Sequence, residues 1–405
     1  MITSILDDDW YNLTQSAFAF MKHPTVEVEH TFFDRGHTVY PEGFARRLMQ
    51  EEIPALAGLQ ASEKEVAFVR EKGYYLPEQW LSCFLPYFRR NAQEVEMWQN
   101  EEGRLFGKIK GIWNRTVLWE TPLLSAISQR YYEMEDIKPE DGWERELRLE
   151  AEAYRTWKAF ILEFGARRRD SLTSQRKALE ILLKEAGYTL YKEDGVLLGT
   201  SNPMLAMEFG INPQGTQSHA LYMLMSALYG YRMATFMGLK EWSEVFQGSL
   251  GTALSDTFTT PVFWHYFDSY YAHLFDGYRQ DSGDPIDSLR QGYENYPKVH
   301  VNPATKIFTA SDNLSPEPIF EILEANLSFA KTFNRGRPMM MTFGIGTHNT
   351  NHVPKPLRLN IVWKLTRVKV GSLWVDVCKL SDDSGKVSGD SRAVDAACYE
   401  LGIPR

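Results

Sequence analysis

The chain has 405 residues, with 44 lysines and arginines against 53 aspartates and glutamates and a formal charge of -9 at pH 7. This leaves room for roughly two or three domains and excludes a long-range positive field that would gather nucleic acid. Cys83, Cys378 and Cys398 lie far apart with no CxxC spacing, so neither a zinc knuckle nor a disulfide framework is expected. The start MITSILDDDW is acidic where a signal peptide would be basic, and no apolar run approaches the ~20 residues of a membrane span. A cytoplasmic chain without membrane or nucleic-acid partners is expected.

In chain order, VEVEHTFFD (26–34) alternates like a half-buried strand, 41–53 and 62–73 read as short amphipathic helices, and LFGKIKGIW (105–113) reads as another strand. Residues 1–130 therefore have an α+β texture. ELRLEAEAYRTWKAFILEFG (146–165) and SLTSQRKALEILLKEAG (171–187) read as helices. They are followed by apolar runs that end in small polar residues: VLLGTSN, GTALSD, TKIFTASDN and PMMMTFGIGT. Strand, polar tip and helix, repeated across 131–349, predict the α/β class and a closed or nearly closed β/α barrel, with functional groups at the carboxyl ends of its strands. RLNIVWKLTRVKVGSLWVDVCKLSD then predicts two antiparallel strands around Gly371, a return to α+β over 350–405.

The tips carry the residues capable of chemistry. In YRQDSGDP, the Asp281 carboxylate suits a ribose hydroxyl or magnesium and the Arg279 fork suits phosphate, although a plain turn before Pro285 is an equal reading. FGIGTHNT offers backbone N–H groups to an anion, but matches neither a P-loop nor a dinucleotide fingerprint. Asp312 in TASDN, taken singly, is better read as shaping its turn. His219 follows Gly215, Thr216 and Ser218 at a helix start. An isolated histidine is usually a satisfied polar residue, but this position suits one that holds a phosphoryl group. His265 and His273 read as packing residues, and His348 and His352 lack an acidic helper, so no protein-built metal site is assigned. FGARRRDS (164–171) sets three consecutive arginines in an acidic chain, which calls for a local anion.

Taken in order, DDDWYNLT, WETPLLSAIS, FGARRRDS, GTSN, GTQSHA, DSGDP, SDN, FGIGT and KLSDDSGK resemble the motifs of the nicotinate phosphoribosyltransferases, from about residue 7 to about 390. Two positions depart from the family pattern: Asn12 stands where lysine is common after the tyrosine, and Ala220 where bacterial relatives often have glutamate. The resemblance implies an irregular β/α barrel combined with an α+β domain built from both chain ends, in a homodimer with shared active sites. It implies that nicotinate, phosphoribosyl pyrophosphate, ATP and water become nicotinate mononucleotide, pyrophosphate, ADP and phosphate in NAD biosynthesis. Mg2+ would accompany the phosphorylated substrates, and His219 would become a phosphohistidine.

The same resemblance implies roles for named residues. Arg279, His219 and Asp256 face pyrophosphate, and Asp281 faces ribose or metal. Asp312, with the backbone around Gly344, Gly346 and Thr347, takes the ribose and its 5'-phosphate, and Arg35 reaches phosphates across the dimer. Phe164 and a partner-subunit tyrosine, carried over to Tyr11, sandwich the pyridine ring. Arg167 is the first candidate for the nicotinate carboxylate, since three adjacent arginines cannot all point at one small anion. Ser201 stands where nicotinamide-using relatives place aspartate, and as a donor it is expected to favour the acid. The competing readings are a nicotinamide phosphoribosyltransferase and a catalytically silent relative that binds phosphorylated sugars.

Overall fold

The computed structural model describes residues 2–190 and 192–404. Strands β1 (Glu27–Asp34), β2 (Val95–Gln99) and β3 (Leu105–Ile112) come from the amino-terminal third. They are followed by β4 (Phe160–Glu163), β5 (Leu197–Thr200), β6 (Thr252–Leu254), β7 (Gly277–Gln280), β8 (Ile307–Ala310) and β9 (Met340–Ile345), and then by β10 (Ile361–Val370) and β11 (Leu373–Asp376). The first sheet has the order β11-β10-β1-β3-β2 and is antiparallel throughout, so both chain ends contribute to it. Gly371, with φ 62°, makes the turn between β10 and β11 in the left-handed conformation that glycine adopts without steric cost.

The second sheet has the order β5-β4-β9-β8-β7-β6 and is parallel in every pair. An irregular segment lies between its edge strands. Gln214 N donates to Thr200 O at the end of β5 (2.8 Å), and the Gln217 side-chain oxygen accepts from Leu254 N in β6 (3.0 Å). The barrel is thus bridged by loop and side chain, which accounts for its irregularity. Because the strands are parallel, all six carboxyl ends share one rim, where the polar tips converge.

The helix read over 146–165 is corrected. The helix Trp143–Trp157 stops where Lys158 turns left-handed (φ 55°), and Phe160–Glu163 forms β4, paired with β5 on one side and β9 on the other. Leu147, Ala151 and Tyr154 supply the helical stripe. The run FILE that follows has no period of its own, and such a run cannot be told from a continuing helix in the sequence.

One large core surrounds the barrel and its helices, and a second, including Phe32, Trp119 and Trp363, packs on the antiparallel sheet. The amino-terminal segment is tied to the barrel by three consecutive buried aspartates, a run that is tolerable only when every carboxylate is paired. Asp7 takes a bidentate pair from Arg169 (2.7 and 2.6 Å), and Asp8 meets Arg90 (3.3 Å) and Asn12 (2.7 Å). Asp9 accepts from Ser201 and from Thr121 (3.0 Å), while Trp10 N donates to Ser201 O (2.7 Å). No helix among the described residues is long and apolar enough to cross a membrane.

Candidate active site

A cavity lies between the rim of the parallel strands and one face of β10. Tyr11, Phe164, Arg167, Ser201, His219, Arg279, Asp281, Gly344 and Gly346 all line it. Asp256, Arg35, Asp312 and Thr347 are not among its lining residues. Asp256 is fully buried behind it, and Arg35 continues the end of β1, with its N–H on Asn360 O (2.9 Å). Asp312 is held beside it by an ion pair with Lys386, and Thr347 begins the short helical turn Thr347–Thr350.

One end of the cavity is aromatic. The Phe164 ring lies against Gly344, where an added Cβ would come within 2.6 Å of ring atom Cδ2, so only glycine admits the ring there. Gly215 similarly gives way to the backbone of Tyr11, at 2.7 Å from where a Cβ would stand. Tyr11 and Phe164 therefore meet in one cavity of one chain. The buried pairing of Asp7 and Asp9 with barrel residues docks the amino-terminal helix at the rim. The Tyr11 hydroxyl donates to Glu120 Oε1 (2.8 Å), and burial together with the nearby Glu120 charge pushes it well above the usual phenol range.

The three arginines separate into three roles. Arg169 is fully buried on Asp7 and Gln175. Arg168 turns to β10 and donates to Ile361 O (2.8 Å); burial first, then the charges of Arg167 and Arg35, lower its pKa to about 9. Arg167 alone enters the cavity, 3.8 Å from Asp9 and 3.7 Å from Glu120. Burial opposes its charge, but the Glu120, Asp9 and Asp281 carboxylates outweigh burial and hold it protonated. Ser201 departs from expectation. Its single hydroxyl hydrogen goes to Asp9, so it is engaged within the protein instead of being free for a ligand carboxylate.

The other end is charged. His219 starts the helix His219–Tyr229, with Nδ1 2.9 Å from Thr257 Oγ1 and Nε2 facing both Lys379 Nζ (2.9 Å) and Asp281 Oδ2 (3.1 Å). Burial, then the Lys379 charge, lower its pKa to about 4, so the ring is neutral at pH 7. In the neutral ring, Nε2–H donates to Asp281 and the Nδ1 lone pair accepts from the Thr257 hydroxyl, the tautomer that stabilises the Asp281 carboxylate. Asp281, which also accepts from Ser311 Oγ (2.9 Å), is held well below the usual carboxylate range against its burial by His219 and Arg279. Arg279 donates to Thr216 Oγ1. Asp256 accepts from Ser282 through one oxygen, while its other oxygen has no partner.

Several residues given no role in the sequence also belong here. Lys364, on β10, lines the cavity; burial and the nearby Lys379 and Arg35 lower its pKa to about 7. Lys379 and Lys386 arrive on KLSDDSGK, which is moored by Asp382 on Thr260 N (2.8 Å) and by Ser381 on Ser282 (2.7 Å). Lys386 Nζ also reaches Asp281 O (3.1 Å). That motif was visible as a motif, but nothing in it separates a buried lysine from a solvated one. Asp9 and Glu120 likewise gave no local signal.

Residues 160–405 match the model of the nicotinate phosphoribosyltransferase (NAPRTase) family, and residues 6–128 match that of its N-terminal domain. The chain is 36% identical to the nicotinate phosphoribosyltransferase of Chromohalobacter salexigens over the whole of both chains. It is 37% identical to that of Desulforapulum autotrophicum over 99% of each. Among solved structures, nicotinate phosphoribosyltransferase from Porphyromonas gingivalis superposes with a TM-score of 0.92 at 35% identity over all of both chains. The Vibrio cholerae protein gives 0.88 at 27% identity, covering 100% of this chain and 95% of its own.

Proposed function

The chain belongs to the nicotinate phosphoribosyltransferase family, and on that premise we propose that its cavity joins nicotinate to phosphoribosyl pyrophosphate, giving nicotinate mononucleotide and pyrophosphate for NAD biosynthesis. The observation that carries this is the meeting, in one cavity, of an aromatic end bearing one guanidinium with a charged end bearing His219, Arg279 and Asp281.

The pyridine ring lies between Phe164 and Tyr11, and Arg167 receives its carboxylate. This holds the ring nitrogen toward ribose C1. As the bond from C1 to pyrophosphate breaks, positive charge grows on the sugar and negative charge on the leaving group. Arg279, Lys364 and Lys379 meet the leaving group, and Asp281 faces the sugar. Asp256, with one buried oxygen unpartnered, and Asp281 are the carboxylates that would hold a magnesium ion bound with the phosphorylated substrates, and such an ion would supply charge neutralisation at the diphosphate.

ATP is the further substrate in this reading, and His219 its phosphoryl acceptor. A neutral imidazole nitrogen attacks the γ-phosphorus, the P–N bond forms, the bond to the β-phosphate oxygen breaks and ADP leaves; water later returns the group as phosphate. A phosphoryl group fixed beside Lys379 and Arg279 would reorganise the cations that grip pyrophosphate. A homodimer with shared active sites is also part of the proposal.

The test is to mix nicotinate or nicotinamide with phosphoribosyl pyrophosphate, magnesium and ATP and to measure mononucleotide. Nicotinate is expected to be the better substrate, and no nicotinate mononucleotide would end the reading. His219→Asn is expected to keep basal transfer and lose both ATP stimulation and label uptake from γ-labelled ATP. ATP-stimulated turnover persisting in that variant would remove the histidine from the scheme.

A further inference from the structure

We propose that Glu120 is the positioning residue of the aromatic end: it holds Tyr11 through a hydrogen bond and Arg167 through charge, and so sets affinity for nicotinate without acting on the phosphoribosyl donor. This rests on the function argued above.

Glu120 opens the helix Glu120–Met134, and its side chain is 17% exposed. The same oxygen, Oε1, accepts from the Tyr11 hydroxyl at 2.8 Å and stands 3.7 Å from Arg167 Nη1. One carboxylate thus links one wall of the ring slot to the group that receives the ring's acid. The Arg167 guanidinium makes no hydrogen bond among the described residues, yet it is flanked by Glu120 and Asp9 at 3.7 and 3.8 Å. At that range charge steadies the guanidinium while its N–H groups stay open for a bidentate ligand.

The two flanking acids differ. Asp9 has both oxygens engaged, one by Ser201 and one by Thr121, and is fixed by the core. Glu120 bonds to Tyr11, so a shift of either moves the other. The charged and titratable groups facing Glu120 are Arg167, Tyr11, Asp9 and Lys364. Of these only Lys364 belongs to the end where phosphates are expected, so a change at Glu120 is expected to be felt at the ring first.

The test is steady-state kinetics with each substrate varied separately for the wild type, Glu120→Ala, Glu120→Gln and Tyr11→Phe. Glu120→Ala is expected to raise the nicotinate KM on the order of tenfold, with the phosphoribosyl pyrophosphate KM within about twofold. Glu120→Gln keeps an acceptor for Tyr11 but removes the charge, and Tyr11→Phe does the converse. Each is expected to produce roughly a threefold to fivefold rise, and the Glu120→Ala/Tyr11→Phe double variant is expected to be no worse than Glu120→Ala alone. If Glu120→Ala does not fold, the isosteric Glu120→Gln decides. An unchanged nicotinate KM in Glu120→Gln, or both KM values rising together with a loss of Tm, overturns the inference. A wild type that makes nicotinate mononucleotide alongside unaltered variants refutes this step only, whereas a wild type that makes none refutes the reaction itself.

Discussion

The two ends of the cavity are built on different physics. At the aromatic end, position comes from volume and short hydrogen bonds: Phe164 lies on Gly344, Tyr11 bonds to Glu120, Ser201 bonds to Asp9, and one guanidinium supplies the charge. At the other end Arg279, Lys364, Lys379 and Lys386 stand among Asp256, Asp281 and Asp312, with no ring contact between them. A flat ring with a single charge is recognised by shape, which tolerates little change of volume. A polyanion is recognised by summed charge, which tolerates some movement but responds to pH and to the loss of one cation.

The largest effect is therefore expected at Lys379. It contacts His219 Nε2 at 2.9 Å, lies 3.6 Å from Asp256 and is 3% exposed, so its removal leaves Asp256 without its nearest cation. Lys379→Ala is expected to lower kcat/KM for phosphoribosyl pyrophosphate by about 10²-fold or more, the scale of losing one preorganised group at developing charge. The nicotinate KM should remain within about threefold. A fall smaller than tenfold would show that the charged end is not organised around this lysine.

Gly344→Ala tests the aromatic end by volume alone. The new methyl would stand 2.6 Å from Cδ2 and 2.8 Å from Cε2 of Phe164, closer than carbon atoms approach, so the ring must leave its place. The nicotinate KM is expected to rise roughly tenfold, with a smaller effect on the other substrate. Equal effects on both KM values would mean that the two ends do not act separately.

The aromatic end was the more legible of the two in the sequence, and the reason is covalent proximity. Phe164, Arg167 and Arg169 fall within six residues, so one motif presented most of one wall together with its buried support. His219, Arg279 and Asp281 were legible because each sits at a strand tip or helix start, next to the small residues such sites require. Lys364 was not. In WKLTRVKV it reads as one of the polar residues that alternate on an antiparallel strand, and only the packing of β10 against the barrel rim turns that face into a cavity wall. The same limit hid β4, because FILE could extend the preceding helix until tertiary pairing on both sides claimed it. The direction of the Ser201 hydroxyl depends on Asp9, 192 residues away in sequence, so no local pattern could show it.

Lys364 gives the comparison a pH dependence. Burial, reinforced by Lys379 and Arg35, lowers its pKa to about 7, so the side chain is a cation below that pH and neutral above it. A neutral lysine no longer attracts phosphate. Between pH 6 and 8.5, kcat/KM for phosphoribosyl pyrophosphate is expected to fall by several-fold up to about tenfold, following the ionisation of the free enzyme. Lys364→Arg, which stays charged throughout, should flatten this limb of the profile. A wild-type limb that persists unchanged in Lys364→Arg would assign the ionisation to another group.

The smallest effect is expected at Ser201, where the two ends differ most subtly. Its hydroxyl donates to Asp9, and its backbone N–H and C=O are held by Glu163 and Trp10 at 2.7 Å each, so the residue is part of the wall that seats Asp9 beside Arg167. Ser201→Ala removes one hydrogen bond to a carboxylate that retains Thr121 at 3.0 Å and Arg167 at 3.8 Å. The expected cost is about 1 to 2 kcal/mol of folding stability, seen as a lower Tm, with the nicotinate KM changing less than about threefold. A tenfold rise in that KM at unchanged Tm would instead mean that the hydroxyl turns from Asp9 to the ligand during binding. Ser201, not Arg167 alone, would then distinguish the acid from the amide.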